Sequence, residues 1–324
     1  MRSLILFLLL PIWAASQSYD SPKNNPIELG KVEWIRNYDE AIKVSQAENK
    51  PIFLLFQEVP GCANCTKYGQ DILSHPLMVE AIETEFVPLA IFNNVKGHDR
   101  EVLVQFSEPT WNNPVVRIIN GRGKDLAPRV GDFRSKATLI NNMITVLNEQ
   151  QQNVPVYLSL LQEEWTAEEE GSDEIFLSMY CFWTGEKEIA QIEGVLATEA
   201  GYMHGREVVK VTYNQDITKP EKISKQAAEV NCADAVYTDQ KIKTNISSKK
   251  TGKYKKDRQD KYYLRHTDYQ FIAMTELQKS KVNSAIGHRM DPSRYLSPRQ
   301  IASLNSTKKQ RSMIEKDIYS VWDN

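Results

Sequence analysis

The feature that most constrains the fold is a Cys-x-x-Cys pair, Cys62 and Cys65, between a short apolar segment and a helical one. The apolar segment is PIFLLFQEVP (51–60), a continuous apolar run bounded by prolines, which predicts a buried β-strand. The segment TKYGQDILSHPLMVEAIETEF (66–86) predicts largely helical structure. Because a cysteine at the start of a helix lies among free backbone N–H groups that stabilise a thiolate, Cys62 is predicted to be a nucleophile and Cys65 the thiol that closes on it.

Two alternatives to redox chemistry apply to this pair. The first is a static structural disulfide, which is common in exported proteins. The second is a zinc site, which requires further Cys or His ligands at matching spacing, and His75 and His98 do not supply them. We therefore expect a redox-active pair and no bound metal.

Strand-like and helical segments alternate along this part of the chain. VPLAIFNN (87–94) and NNPVVRIING (112–121) predict two more strands, and Asn120-Gly121 suits a tight reversal. SKATLINNMITVLNEQ (135–150) predicts a closing helix, since its apolar residues recur at i, i+3, i+4 and i+7. The alternation predicts an α/β sandwich of modest size.

Residues 32–148 resemble the thioredoxin-like superfamily. The resemblance rests on the order strand, cysteine pair and helix, and on Asn113-Pro114, which stands where the family places a proline, often cis, beside its cysteines. The motif here is PGCANC, whereas the family usually carries a tryptophan before the first cysteine and Gly-Pro between the two. The resemblance implies a thioredoxin-like fold with thiol–disulfide exchange at Cys62 and Cys65.

The N-terminus predicts export. One basic residue precedes an apolar run from Leu4 to Trp13, and small residues follow at 14–16, which together indicate a signal peptide over residues 1–16. The run is short for a transmembrane anchor, the alternative, and no other segment is apolar enough to cross a membrane. We expect a periplasmic or secreted protein without a membrane anchor. A formal net charge of −2 gives no general attraction to nucleic acid.

Composition divides the mature chain into two parts. A polar lead-in (17–30) precedes the predicted thioredoxin-like domain (31–150). The acidic run QEEWTAEEEGSDE lies in segment 151–173 and predicts a linker or cap between domains. The second predicted domain covers residues 174–324.

The second part contains a further cysteine at the start of a predicted helix. Cys181 follows the predicted strand IFLSMY, and this position again favours a thiolate. A buried core cysteine packed with Phe182 and Trp183 is the alternative. Glu207 and Tyr202 add a carboxyl and a phenol, a set that suits attack on an oxidised sulfur whose oxygen must leave protonated.

The end of the second part is less regular. The basic segment 241–261 has no periodicity and predicts a solvated loop, with a site for an anionic partner as the alternative. DYQFIAM (268–274) predicts a last short strand, and TELQKSKVNSAI (275–286) predicts a helix with Thr275 as its N-cap.

Residues 174–286 resemble the peptide methionine sulfoxide reductase A family. The matching stretches occur in order: YCFWTGEKEIAQIEGVLATEAGY, REVVKVTYNQDITKPEKI and HTDYQFIAMTELQKSKV. The resemblance implies a ferredoxin-type α+β domain in which Cys181 is the nucleophile and Glu207 the acid. It also implies that Phe182 and Trp183 hold the substrate methyl group and that Tyr269 binds the sulfoxide oxygen, with Tyr202 as the second phenol. The chain departs from the family at Tyr180, where the family has glycine, in a shortened loop after Tyr202, and at LRHTDY, where the family has an aspartate.

The two resemblances together imply an exported peptide-methionine (S)-S-oxide reductase. Cys181 would attack the sulfoxide and become a sulfenic acid, which Cys232 or Cys62 would then resolve. The implied substrate is methionine sulfoxide, free or in oxidised proteins. No bound cofactor is expected, and the electron donor would be thioredoxin or an equivalent thiol reductant.

Three alternatives stay open at this point. The first is a thiol–disulfide oxidoreductase whose second half is a noncatalytic binding module. The second is an exported interaction or structural protein built from two inactive folds. The third concerns Cys232 alone, which could be an inert buried cysteine.

Overall fold

The computed structural model describes residues 25–132, 134–230, 232–304 and 311–323. The predicted signal peptide (1–16) and most of the predicted lead-in (17–30) lie outside these ranges. None of the helices in the described ranges is long and apolar enough to cross a membrane.

The first half contains a mixed three-stranded sheet flanked by helices. Its elements in chain order are α1 (Tyr38–Glu48), β1 (Ile52–Gln57), α2 (Ala63–Asp71), α3 (Pro76–Glu85), β2 (Val87–Phe92), α4 (His98–Gln105), β3 (Val115–Ile119), α5 (Lys136–Glu149) and α6 (Val156–Glu170). The strand order is β2-β1-β3, with β1 parallel to β2 and antiparallel to β3. The three predicted strands and the helix after the cysteine pair are confirmed; α4 was not predicted from the sequence.

The central strand β1 is buried on both faces because helices cover both sides of the sheet. Side chains alternate between the faces of a strand, so Phe53 and Leu55 join the core formed by α2, α3, α5 and α6. Ile52, Leu54 and Phe56 join the opposite core with α1 and α4. This double coverage explains why the segment is apolar without alternation.

The segment predicted as an acidic linker (151–173) instead contains all of α6 and the start of the next strand. Tyr157, Leu158, Leu161 and Trp165 are buried in the same core as α5. Their spacing is that of one apolar face of a helix. The many glutamates in the same segment make this pattern hard to recognise in the sequence. The segment is therefore a structural part of the first half, and the boundary between the domains stays a prediction.

The second half contains a six-stranded sheet with helices packed on it. Its elements are β4 (Ser172–Met179), α7 (Phe182–Ile189), β5 (Val195–Met203), β6 (Arg206–Asn214), α8 (Pro220–Glu229), β7 (Ala233–Tyr237), β8 (Ser247–Lys249), β9 (Tyr254–Lys256), α9 (Tyr262–Arg265), α10 (Glu276–Gly287) and α11 (Pro298–Ser303). The strand order is β8-β7-β4-β6-β5-β9, in which β4, β5, β6 and β7 pair antiparallel and β8 is parallel to β7. Helices α7 and α8 pack against this sheet. The architecture agrees with the predicted α+β class.

Two details of the second half differ from the sequence predictions. The segment predicted as a last strand, 268–274, begins with a 3-10 helix (Asp268–Phe271) and packs beside α10 in a small separate core. A short apolar run does not distinguish a strand from other buried segments, and this one is not paired in the sheet. The basic segment 241–261 contains β8 and β9, which lie at the two edges of the sheet. The predicted N-cap Thr275 is confirmed, with a capping box to Gln278.

The C-terminal segment packs onto the first half. The Tyr319 hydroxyl donates to the Asp71 carbonyl at 2.7 Å, and the Trp322 indole N–H donates to the Ser74 carbonyl at 2.8 Å. Ile318 is buried in the first half's core. These contacts lie at the C-terminal end of α2. Its N-terminal end, which carries the cysteine pair, is about 13 Å away along the helix.

Candidate active sites

The cysteine pair lies where β1 is followed by α2. Cys62 is the N-cap of α2 and is exposed, whereas Cys65, in the first turn of the helix, is buried. The two Sγ atoms are 3.5 Å apart. Both residues are free thiols in the structure, and the same holds for Cys181 and Cys232.

The environments of the two thiols differ in a way that separates their roles. The backbone N–H of Cys65 points at the Cys62 sulfur and, with a further hydrogen bond from the Asn64 backbone, lowers the pKa of Cys62. Burial, together with the hydrogen bond to Cys62, raises the pKa of Cys65 to about 11. Near neutral pH, Cys62 is therefore the better nucleophile and Cys65 stays protonated.

Neutral hydrogen bonds hold this loop in place. The Cys65 thiol donates to Asn113 Oδ1 at 2.8 Å, and the Asn113–Pro114 peptide bond is cis. The side-chain amide of Gln57 donates to the carbonyls of Cys65 (3.3 Å) and Glu28 (2.8 Å). Asn113-Pro114 is recognisable in the sequence, but Gln57 and Glu28 are not, because Glu28 lies in the predicted lead-in and nothing local connects it to the cysteines.

Glu28 contacts the pair's loop directly. The Gly61 backbone N–H donates to Glu28 Oε1 at 2.7 Å, and Glu28 is almost fully buried. A Cβ on Gly61 would lie 2.3 Å from the Glu58 carbonyl oxygen and 2.6 Å from Cys65 Cβ. Glycine before Cys62 is therefore required by close packing and not by a left-handed backbone.

The second site is built around the start of α7. Cys181 is the N-cap of α7 and half-buried. The Phe182 backbone N–H donates to Glu207 Oε2 at 2.9 Å, which holds the Glu207 carboxyl at this helix end. Glu207 faces Tyr202 across the β5–β6 pair, and the Tyr202 ring lies 5.3 Å from the Phe182 ring. Three predicted site residues, Glu207, Tyr202 and Phe182, thus meet beside Cys181.

Trp183 contacts a tyrosine that the sequence analysis did not select. The Trp183 and Tyr262 rings are stacked with centroids 4.1 Å apart and an interplanar angle of 20°. Tyr269, the predicted ligand of the sulfoxide oxygen, packs instead in the small core with α10, where burial and then Asp291 raise its pKa. The adjacent aromatic pair Tyr262-Tyr263 was a visible signal, but only the fold shows which tyrosine reaches Trp183.

Tyr180 and Cys232 lie next to each other beside the second site. The Tyr180 side chain is 74 % exposed and therefore projects largely into solvent. Its backbone N–H contacts the Cys232 carbonyl at 3.4 Å. The Cys232 thiol is buried and donates to the Ala227 carbonyl at 3.3 Å, and burial raises its pKa to about 11. These features agree with the alternative that Cys232 is an inert buried cysteine. Its role as the resolving thiol stays a prediction.

A buried charged network connects α7 to the residue before Tyr262. Lys261 Nζ lies 3.1 Å from Glu186 Oε1 and 3.4 Å from Asp260 Oδ1, and it also donates to the Thr198 carbonyl. Burial alone would lower the pKa of Lys261, but the carboxylates of Asp260 and Glu186 raise it above its usual range. Lys261 is therefore a buried cation that fixes the chain leading to Tyr262.

Comparison with known proteins bears on the first half. A sequence model described as thioredoxin-like matches residues 33–121. Residues 33–121 form a thioredoxin-like domain. Among solved structures, the protein described as "DsbH Oxidoreductase" is 21 % identical, with a TM-score of 0.32, and the match covers 41 % of this chain and 96 % of that one. A thioredoxin from Thermus thermophilus is 19 % identical, with a TM-score of 0.32, and covers 37 % of this chain and 89 % of its own. No curated protein matches the chain.

In the thioredoxin-like domain, the cysteine pair and the cis proline come from separate segments. Cys62 and Cys65 follow β1, whereas Pro114 precedes β3, the neighbour of β1 in the sheet. Asn113 connects them through its hydrogen bond with the Cys65 thiol. The geometry places the exposed Cys62 thiol at the surface and the buried Cys65 thiol beneath it.

Proposed function

We propose that the protein is a thiol–disulfide oxidoreductase in which Cys62 of the thioredoxin-like domain is the nucleophile. The observation that carries the proposal is the asymmetry of the pair: Cys62 is exposed with a lowered pKa, and Cys65, with Sγ 3.5 Å away, is buried with a raised one. An exposed thiolate beside a protonated second thiol is what a two-step exchange needs.

The proposed exchange transfers two electrons to a substrate disulfide. The Cys62 thiolate attacks one sulfur, forms a mixed disulfide and releases the other substrate sulfur as a thiolate, which takes up a proton. Cys65 then loses its proton and attacks Cys62 Sγ, which releases the second substrate thiol and leaves a Cys62–Cys65 disulfide. An external thiol reductant, thioredoxin or an equivalent donor, returns the pair to the dithiol.

The test is reduction of a model protein disulfide, such as insulin, with a thiol donor present. Cys62→Ser is expected to lower the rate at least about a thousandfold, because the nucleophile is lost. Cys65→Ser is expected to trap the mixed disulfide on Cys62, which mass spectrometry would detect. Cys181→Ser, which leaves the pair untouched, is the matched control. Full activity in Cys62→Ser would contradict the proposal.

A second candidate activity is reduction of methionine S-sulfoxide at Cys181. The observation that favours it is the Phe182 N–H to Glu207 hydrogen bond, which holds a carboxyl at the helix end that carries Cys181, beside Phe182 and Tyr202. Cys181 would attack the sulfoxide sulfur while Glu207 donates a proton to the oxygen. The S–O bond breaks, methionine leaves, and the oxygen remains on Cys181 as a sulfenic acid.

The sulfenic acid must then be reduced by thiols. Attack by Cys232 or by Cys62 would release water and form a disulfide with Cys181. The thioredoxin-like dithiol would supply the two electrons, so the two halves would serve one repair reaction on free or protein-bound methionine sulfoxide. An exported location, predicted from residues 1–16, belongs to this proposal, since oxidised methionine outside the cytoplasm would need its own reductant.

Single-turnover kinetics separate the steps of this second activity. Cys181→Ser is expected to form no methionine, whereas Cys62→Ser is expected to form up to one equivalent and then stop. Cys232→Ser distinguishes the two resolving routes, because continued turnover in this variant assigns resolution to Cys62. Undiminished methionine formation by Cys181→Ser would exclude the sulfoxide reductase activity without affecting the disulfide exchange.

A further inference from the structure

A carboxyl group lies beside the two thiols of the thioredoxin-like domain. A carboxylate oxygen of Glu58 and the Sγ atoms of Cys62 and Cys65 all lie within 4.8 Å of one another. Glu58 follows β1 directly, and its backbone N–H also donates to the Cys65 sulfur. The end of the strand and the first turn of α2 therefore bring three donor atoms to one point.

The separation of the sulfurs is close to that found around a tetrahedral zinc ion. Zn–S bonds of about 2.3 Å at tetrahedral angles place two sulfurs about 3.8 Å apart, and these sulfurs are 3.5 Å apart. A carboxylate oxygen binds zinc at about 2.0–2.2 Å, so the Glu58 oxygen, which lies within 4.8 Å of both sulfurs, has to move closer to them to bind the ion. Because Cys62 is exposed, the fourth coordination position faces solvent and suits a water molecule.

Charge also favours a cation here. A carboxylate beside Cys62 opposes formation of the thiolate that disulfide exchange requires, because like charges repel. A divalent cation between the three groups attracts each of the negative charges and so offsets their mutual repulsion. Two thiolates with one carboxylate also form a ligand set suited to zinc.

We propose that the reduced thioredoxin-like domain binds one Zn²⁺ through Glu58, Cys62 and Cys65, with water as the fourth ligand. The sequence analysis set zinc aside for lack of further Cys or His ligands; the structure supplies a carboxylate instead. Binding needs both sulfurs as thiolates, so it releases the Cys65 proton and any proton still held by Cys62, and it makes no redox change. The bound ion occupies both sulfurs, so it withholds Cys62 from exchange and protects the pair from oxidation. The inference concerns metal binding alone and does not require that the proposed exchange reaction occurs.

The test is an anaerobic titration of the fully reduced protein with Zn²⁺ by calorimetry, repeated with Cd²⁺ to follow thiolate-to-metal absorption. One metal ion per chain is expected, and binding is expected to disappear after oxidation of the pair or in Cys65→Ser. Glu58→Gln is expected to weaken the affinity at least about tenfold, because the third ligand is lost. Glu101→Gln, which removes an exposed carboxylate of α4, is the matched control and is expected to bind normally.

Three results would overturn the inference: no binding, unchanged affinity in Glu58→Gln, or one metal ion per two chains with dimer formation on size exclusion. The last would show that exposed Cys62 thiols of two molecules share the ion. Alkylation of both thiols in Glu58→Gln, followed by mass spectrometry, shows that a weakened variant still carries a reduced pair. Disulfide reduction is measured separately with a chelator present, so its failure would affect the proposed function and leave this inference standing.

Discussion

Cys62 and Cys181 occupy the same local position in the two halves of the protein. Each is the N-cap of a helix that follows a strand of its sheet, α2 after β1 and α7 after β4. The Cys65 backbone N–H lowers the pKa of Cys62, whereas the Phe182 N–H beside Cys181 donates to a carboxylate. The neighbours differ: Cys62 has a second thiol one turn later, whereas Cys181 has the carboxyl of Glu207 on the adjacent backbone N–H. One local geometry can thus serve a two-thiol exchange or a one-thiol reaction with an acid.

The supports of the two helices also differ. The Cys62 loop is held by the uncharged side chains of Gln57 and Asn113 and by one buried acid, Glu28. The Cys181 helix is tied through Glu186 to the buried cation Lys261. Burying a hydrogen-bonded neutral group costs little free energy, whereas the stability of a buried charge depends strongly on its charged partner. The second site should therefore be more sensitive to single substitutions in its support.

The largest expected contrast is in thiol reactivity. In the reduced protein near neutral pH, iodoacetamide should alkylate Cys62 at least about a hundredfold faster than Cys232, because Cys62 ionises more readily and Cys232 is buried. The Cys62 rate should level off below the pH range of an ordinary thiol, and the Cys232 rate should keep rising toward pH about 11. Peptide mass spectrometry over time gives both rates. Equal rates would remove the distinction between an exposed nucleophile and an inert core thiol.

The next expected effect is on stability. Lys261→Met should lower the free energy of unfolding of the second half by about 3–5 kcal/mol, because buried Glu186 would lose its cation and Asp260 would keep only Lys256. Urea denaturation followed by fluorescence measures the loss. Lys225→Met is the control: this lysine is exposed on α8, and its ion pair with Glu229 should contribute about 1 kcal/mol or less. Equal losses of unfolding free energy in both variants would show that burial does not determine how much an ion pair contributes to stability.

A smaller effect is expected at the acid of the second site. Glu207→Gln should lower methionine sulfoxide turnover about a hundredfold. The amide oxygen of glutamine can still accept from the Phe182 N–H, so the substitution removes the acid while keeping the helix cap. Steady-state kcat measures the change. Glu174→Gln removes an exposed carboxylate on β4, paired with Lys210, and should leave turnover unchanged. Undiminished kcat in Glu207→Gln would remove the acid from the mechanism.

Local sequence rules predicted the parts of the molecule that local interactions determine. The strand before Cys62, the helix after it and the Thr275 cap all depend on residues a few positions apart, and the structure contains each of them. The family resemblance located the cis proline at Asn113-Pro114. In the second site it indicated Glu207, Tyr202 and Phe182, which the fold brings together.

The rest depends on contacts between distant parts of the chain. Tyr262 lies 79 positions from Trp183, and Lys261 lies 75 from Glu186, so no periodicity connects them. Lys261 also ends a basic segment whose composition predicts full exposure, yet it is among the largest fully buried side chains. The acidic segment of α6 misled for the same reason: Glu168, Glu169 and Glu170 are exposed, while Leu161 and Trp165 pack inward.

The smallest expected effect concerns the contact between the halves. Glu164 of α6 is buried and accepts from the Leu277 N–H at the start of α10 at 3.0 Å. Burial raises its pKa to about 7, so the folded state binds a proton there that the unfolded chain has released. Stability should therefore fall as pH rises, with this residue contributing a loss of about 2 kcal/mol between pH 5 and pH 8.

Glu164→Gln should flatten that pH dependence, because glutamine can still accept from Leu277 but does not ionise. Urea midpoints measured at several pH values give the comparison. Glu168→Gln removes an exposed carboxylate one turn along the same helix and should leave the slope as it is. A slope retained in Glu164→Gln would assign the titration elsewhere. Glu164→Gln could lose both the pH dependence and any separation between two unfolding transitions. That result would show that protonated Glu164 couples the thioredoxin-like domain to the half that carries Cys181.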